Sequence, residues 1–399
     1  MADQVDLSID AAIVKGNNEF ALCLYAAILN QSGNLFFSPY SIFSSLAMVY
    51  AGARSETALQ MAGALHLPLD QARVHAAFSA LNQRLRSAGP AEFYQLSVAN
   101  ALWGADGIGF HTDFLKTVQE NYGTAVRELN FEHNAEGARL TINQWVENET
   151  KRKITGLVPA GGIRPDTLLI VTNAIYFNAK WHDPFEEWLA STADFTVASA
   201  DSRRDALGFW RGSFKRKRRV SVPFMQQLDR FSYMEDAEFQ AVELPYAWKE
   251  MSMVIMLPRR VDGLPALEQS LTPEKVSAVF STPGQQLVKI KLPKFKLTED
   301  VDLGGLLSDR MPVAMSDAAD FSGMADRRNI FISGAIHKAY INVDETGTEA
   351  AAATAVAVCG AALNPPKPVE FRADHPFLFL IRDRRTNLIL FIGRLTDPS

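Results

Sequence analysis

Apolar positions along the chain fall into both helical and strand periods, so a mixed fold is expected. Phe20, Leu24, Ala27 and Ile28 recur at helical spacing within residues 18–29, which predicts an amphipathic helix near the N-terminus. Leu35, Phe36 and Phe37 read as a short strand leading into a second helix, with Ser38 suited to its N-cap, Pro39 to its first position and Gly52 to its end. Residues 96–103 (LSVANALW) and 167–181 (TLLIVTNAIYFNAKW) read as strands. The second is too continuously apolar for a sheet edge and should lie centrally, covered on both faces. Asn173 interrupts that run. A buried amide needs partners, and on its own residue chemistry Asn173 reads as a satisfied core group.

Residues 343–368 (VDETGTEAAAATAVAVCGAALNPPKP) carry a different signal. Surface connections are usually polar, yet between Gly347 and Asn364 the only charge is Glu349, set among Thr, Ala, Val and Gly. Such a window favours strand addition. Read as a strand, Thr348, Ala350, Ala352, Thr354, Val356 and Val358 line one uncharged face, while Glu349, Ala351, Ala353, Ala355, Ala357 and Cys359 line the other. The four consecutive alanines equally permit a short helix. Three prolines among residues 365–368 then stop any regular continuation.

Composition narrows the function. The chain has 399 residues, 47% of them hydrophobic, enough for a large core. A net charge of −5 argues against general nucleic-acid binding, so any polyanion site must be local. The start lacks a secretory signal pattern and no stretch is long and apolar enough for a membrane span, so a soluble, cytoplasmic protein is expected. The two cysteines, Cys23 and Cys359, lie far apart and imply no disulfide framework. Hydrolase and nucleotide motifs (GxSxG, HExxH, GxxxxGK) are missing, the seven histidines are scattered, and Cys359 has no neighbouring base to activate it. An enzyme is not expected, and no cofactor or metal is implied.

The run DETGTEAAAATAVAV, followed by FRADHPFLFLI and LFIGRLTDP, resembles the hinge, reactive loop and C-terminal strands of the serpins, closest in style to the intracellular, ovalbumin-like branch. The resemblance extends through NLFFSPYSIFSSLAMVYAGA, INQWVENETKRKI, ELPY, MVIMLP, LPKFKL and FSGM in the family's order, and so covers nearly the whole chain. It implies an α+β fold of one domain over residues 1–399, with three β-sheets, surrounding helices and an exposed reactive-centre loop at about 345–368. A target serine protease would attack that loop and be trapped as a covalent acyl-enzyme while the hinge inserts into the central sheet. The protein would act as a monomer.

The matched positions imply roles. Glu345, Gly347, Thr348, Glu349 and Ala350, Ala351, Ala352 and Ala353 form the hinge. Ser38, Ser41, Asn173 and His337 form the "shutter" beneath the sheet. Trp181 and Lys294 mark the "breach", where insertion starts and where Lys294 is expected to pair with Glu345. Counting from Glu345 places the reactive bond at Ala361–Ala362, with bonds among Val358, Cys359, Gly360 and Leu363 left open. Residues 347–361 would span roughly 50 Å when extended at about 3.3 Å each. Small apolar residues around the bond suit elastase-like or subtilisin-like enzymes. A papain-like cysteine protease is the alternative target, and a non-inhibitory binding or storage protein the alternative function. In the exposed loop, an arginine at Thr348 is expected to cost little.

Residues 198–221 depart from the family pattern, being longer and strongly basic, with Arg211, Lys215, Arg216, Lys217, Arg218 and Arg219 among them. They read either as a solvated loop or as an exosite for a polyanion.

Overall fold

A computed structural model describes residues 7–68, 70–90, 92–197, 218–282, 284–348 and 367–399. The first helix, Leu7–Ala27, begins earlier than periodicity within residues 18–29 suggests. Gly16, Asn17 and Asn18 look like a break in sequence but act as packing devices. A Cβ on Gly16 would lie 2.7 Å from the His66 carbonyl oxygen, and buried Asn17 donates to the Ile389 carbonyl at 3.0 Å.

A strand at Leu35–Phe37 leads into helix Pro39–Tyr50, whose N-cap Ser38 accepts from the Ser41 amide. Every residue of this helix is buried, as expected for a segment that is apolar nearly all round. It lies under a six-stranded sheet whose middle strand is Leu169–Lys180. That strand pairs antiparallel with Tyr94–Ala105 and parallel with Ile332–Val343. Helix Phe131–Glu149 covers the opposite face, where Ala138 and Ile142 pack with Trp103 and Ile170. Cover on both faces explains the uninterrupted apolar run.

The other strands form a nine-stranded sheet divided by the long strand Arg218–Glu235. Its second half pairs with Phe239–Pro245; its first half pairs with Ser191–Val197 and Gln286–Pro293, and Val369–Arg372 adds to the latter. With the six-stranded sheet, the pairings fall into three groups of strands, two of them joined through Arg218–Glu235. Residues 218–221 are therefore strand, correcting their assignment to a basic loop. Arg218 lies opposite Val197 and Arg219 opposite Thr196. No helix among the described residues is long and apolar enough to cross a membrane, and Cys23 is a free, half-buried thiol.

Candidate functional site

Ile332–Val343 and Leu169–Lys180 run side by side, pairing as far as Tyr340 and Tyr176, and then diverge. Into the gap the chain folds back on itself. Val343 pairs with Thr348, the Asp344 amide donates to the Gly347 carbonyl at 2.9 Å, and the Asp344 carboxylate accepts from the Thr346 amide and hydroxyl. The returning pair, Gly347–Thr348, forms a two-residue strand between its neighbours, opposite Lys180 and Ala179. Gly347 has φ +155, and a Cβ there would lie 2.2 Å from the Ala179 carbonyl oxygen. Only glycine fits so close an approach.

Trp181 holds the top of this gap. Its ring stacks on Tyr246 with centroids 4.6 Å apart, its amide donates to the Thr346 carbonyl, and its indole donates to the Asp344 carbonyl at 2.9 Å. Tyr246 and Thr348 share a hydroxyl hydrogen bond of 2.9 Å, and burial pushes the Tyr246 phenol far up, keeping it neutral. Lys294 Nζ lies 3.1 Å from Glu345, whose carboxylate is mostly buried while the lysine is about one-third exposed.

Farther along the same seam, Asn173 and His337 occupy paired positions and hydrogen-bond to each other. The Ser38 amide donates to His337 Nε2 at 3.1 Å. That makes Nε2 the acceptor, so Nδ1 carries the proton and donates to Asn173 Oδ1. Burial pushes the imidazole down to about 3, so the ring is neutral. Asn173 also donates to Asn100 Oδ1 at 2.8 Å, which accepts from the Ser41 hydroxyl at 2.9 Å; the Ser38 hydroxyl donates to the Leu390 carbonyl at 2.6 Å. The network ties the N-cap of the buried helix to both strands of the seam.

Ser38, Ser41, Asn173 and His337 thus come together, as do Trp181, Lys294, Glu345, Gly347 and Thr348. One expectation needs correction. Thr348 is fully buried and already seated in the sheet, so it is no exposed loop position where an arginine costs little. The alternation correctly puts it on the inward face, but the close turn at Asp344 brings it into the gap.

Glu349, Ala350 to Ala353, and the reactive-bond candidates Val358 to Leu363 lie outside the described residues, as do Arg211, Lys215, Arg216 and Lys217. Arg218 and Arg219 lie in a strand, 3.5 Å from Asp397 and 3.7 Å from Asp194. Strand pairing has turned two of the six basic candidates into edge residues facing carboxylates.

Sequence reasoning missed Asn100, Asp344 and Tyr246. Asn100 was discoverable as the lone amide in LSVANALW, directly opposite Asn173. Tyr246 closes the matched block ELPY, but its role had no local signal, since Trp181 and Thr348 are 65 and 102 residues away.

Residues 15–398 match the family model described as Serpin (serine protease inhibitor). Leukocyte elastase inhibitor of Homo sapiens is 38% identical over 395 residues, covering 96% of this chain and 98% of that protein. A solved serpin of the insect Tenebrio molitor, described as highly specific, matches with a TM-score of 0.82 at 29% identity over 100% of both chains. Uncleaved ovalbumin matches with a TM-score of 0.81 at 27% identity, covering 98% of this chain and 99% of that one. With the family model spanning nearly the whole sequence and the same architecture in solved relatives, this chain belongs to the serpin family and has the serpin fold.

Proposed function

We propose that this protein is a suicide-substrate inhibitor of serine proteases, directed at elastase-like or subtilisin-like enzymes. The observation that carries this reading is the Gly347–Thr348 strand, seated between Leu169–Lys180 and Ile332–Val343 at the mouth of their seam. A hinge so placed has begun the strand that the following residues can extend, and those residues are small.

In the proposed reaction the protease serine Oγ attacks the Ala361 carbonyl carbon. The bond to the Ala362 nitrogen breaks, that nitrogen takes the serine's proton through the enzyme's base, and an ester joins the enzyme to Ala361. Normally water would hydrolyse the ester. Here the freed segment 349–361 continues the register already set by Thr348 and carries the enzyme along the sheet before water acts.

By alternation from Thr348, Ala350, Ala352 and Thr354 would face inward on insertion, and none is bulky or charged, which suits a hinge that can insert. The human relative's name, leukocyte elastase inhibitor, supports an elastase-class target, and small residues about the bond suit a small S1 pocket. The free Cys23 thiol suits a cytoplasmic, reducing setting.

Mixing the protein with pancreatic elastase or subtilisin and running a denaturing gel tests the reading. A band of summed mass that resists SDS is expected. Clean cleavage with full turnover by both enzymes would instead assign the chain to the non-inhibitory members of the fold.

A further inference from the structure

The chain contains four adjacent arginine pairs, and one of them, Arg218 and Arg219, leads into a hydroxyl with the spacing Arg-Arg-x-Ser, ending at Ser221. The other three pairs, which begin at Arg203, Arg327 and Arg384, have Ala206, Ile330 and Asn387 at the same position. Because Arg218 opens the strand Arg218–Glu235, residues 218–222 are extended and are held along one edge by Ser191–Val197. Along the other edge, pairing with Gln286–Pro293 starts only at Phe224, so the backbone of residues 218–222 has no second strand neighbour among the described residues.

Alternation puts Arg219 and Ser221 on one face of this strand and Val220 and Val222 on the other. Val222 is buried, which turns Ser221 outward, and Ser221 is exposed. Both arginine side chains are 66% exposed. Arg218 lies 3.5 Å from Asp397, and Arg219 lies 3.7 Å from Asp194, which stands directly opposite Ser221. Ion pairs this open contribute little and are readily exchanged for the carboxylates of a partner. An extended backbone with one free edge, an outward hydroxyl and exchangeable guanidinium groups two and three residues before it match an enzyme cleft that binds its substrate extended and reads arginine by paired carboxylates.

We propose that Ser221 is a phosphorylation site for a basophilic protein kinase, one whose cleft presents carboxylates to Arg218 and Arg219. The Ser221 Oγ attacks the γ-phosphorus of ATP, the bond from that phosphorus to the β,γ-bridging oxygen breaks, ADP leaves, and the hydroxyl proton passes to the kinase's base. The product places nearly two negative charges directly opposite Asp194, where like charges repel. Arg219, two residues away on the same face, is the cation placed to leave Asp194 for the phosphate. The modification thus turns a strand edge of balanced charge acidic beside residues 198–217, and it is independent of the inhibitory reading.

The catalytic subunit of cAMP-dependent protein kinase, with ATP and magnesium, is the probe. Folded wild type, Ser221→Ala and Arg218→Gln/Arg219→Gln are treated alike, incorporated phosphate is followed over time, and its position is mapped by peptide mass spectrometry. Wild type should carry phosphate on Ser221, Ser221→Ala should lose that signal, and the double variant should react about tenfold or more slowly, as the loss of two charge-assisted contacts requires. Folded wild type that takes up no phosphate, even where a free peptide of residues 215–225 does, would overturn the site, because the strand would then withhold its hydroxyl. So would phosphate found elsewhere with Ser221 unmodified, for instance on Thr155 behind Arg152 and Lys153. Labelling of Ser221 at an undiminished rate without both arginines would overturn the basophilic recognition.

Discussion

His337 and Asn173 face each other across the seam between Ile332–Val343 and Leu169–Lys180, and their side chains hydrogen-bond directly. The bond latches the two strands that must separate if the hinge is to advance. Its environment gives the latch a pH dependence. The imidazole is held down to about 3 by burial, whereas an exposed histidine titrates near 6.5, so between these values the unfolded or opened chain binds a proton that the closed one refuses. The latch contributes fully above about pH 6.5 and loses its contribution as pH falls toward about 3. At pH 4.5 the loss amounts to roughly 2–3 kcal/mol. Buried His75, pushed down to about 4, adds a similar slope of its own. The diagnostic is therefore a difference: His337→Gln should flatten the fall in urea midpoint between pH 7 and 4.5, and parallel curves for variant and wild type would remove His337 from the latch.

Continuing the register of Gly347 opposite Lys180 and Thr348 opposite Val343 places Thr354 between Asn173 and His337 in an inserted strand. Its side chain would point inward, as that of Thr348 does. A hydroxyl there can replace the bond that insertion breaks between the two latch residues. Thr354→Val should leave the intact protein's stability unchanged and lower that of the cleaved protein by about 1–2 kcal/mol. Equal midpoints for cleaved wild type and cleaved variant would show that the strand does not reach this register.

Thr348→Arg acts in the intact protein as well. Thr348 is fully buried and bonded to Tyr246, so a guanidinium would force the Gly347–Thr348 strand out of the sheet or enter an apolar layer unpaired, at several kcal/mol. Cleavage by the protease should continue while trapping slows, raising the amount of inhibitor consumed per enzyme inactivated. An unchanged stoichiometry would mean that insertion does not proceed past this residue.

Lys294 and Glu345 contribute modestly, about 1 kcal/mol, because the lysine is partly solvated. Reversing the charge is more severe. Glu345→Lys puts two ammonium groups together at the mouth of the seam and should promote opening, seen as polymers on mild heating in size-exclusion chromatography. A variant that stays monomeric alongside wild type would confine the pair to a surface contact.

Much of the framework was legible because it rests on local chemistry. Ser38 and Pro39 mark a helix start by capping geometry alone, and the apolar run through Leu169–Lys180 announces a strand covered on both sides. Alternation placed Thr348 on the inward face. What alternation could not supply was depth, since the burial of Thr348 comes from the Asp344 turn and from Tyr246, a residue distant in sequence. The start of the first helix was hidden for a similar reason: Gly16 is favoured there by contact with His66, a tertiary demand that overrides its poor helix propensity. Arg218 and Arg219 read as loop because charge masks the strand they begin, although Val220 and Val222 already alternate.

The central claim is that the loop, once cut, becomes a strand of the six-stranded sheet. Its most direct test is the thermal unfolding midpoint before and after a single cleavage between residues 358 and 363. Insertion would add a ladder of hydrogen bonds, each worth about 0.5–1.5 kcal/mol, and bury Val356 and Val358. The cut protein should therefore melt about 10 °C or more above the intact one. A midpoint unchanged or lowered by cleavage would contradict the account.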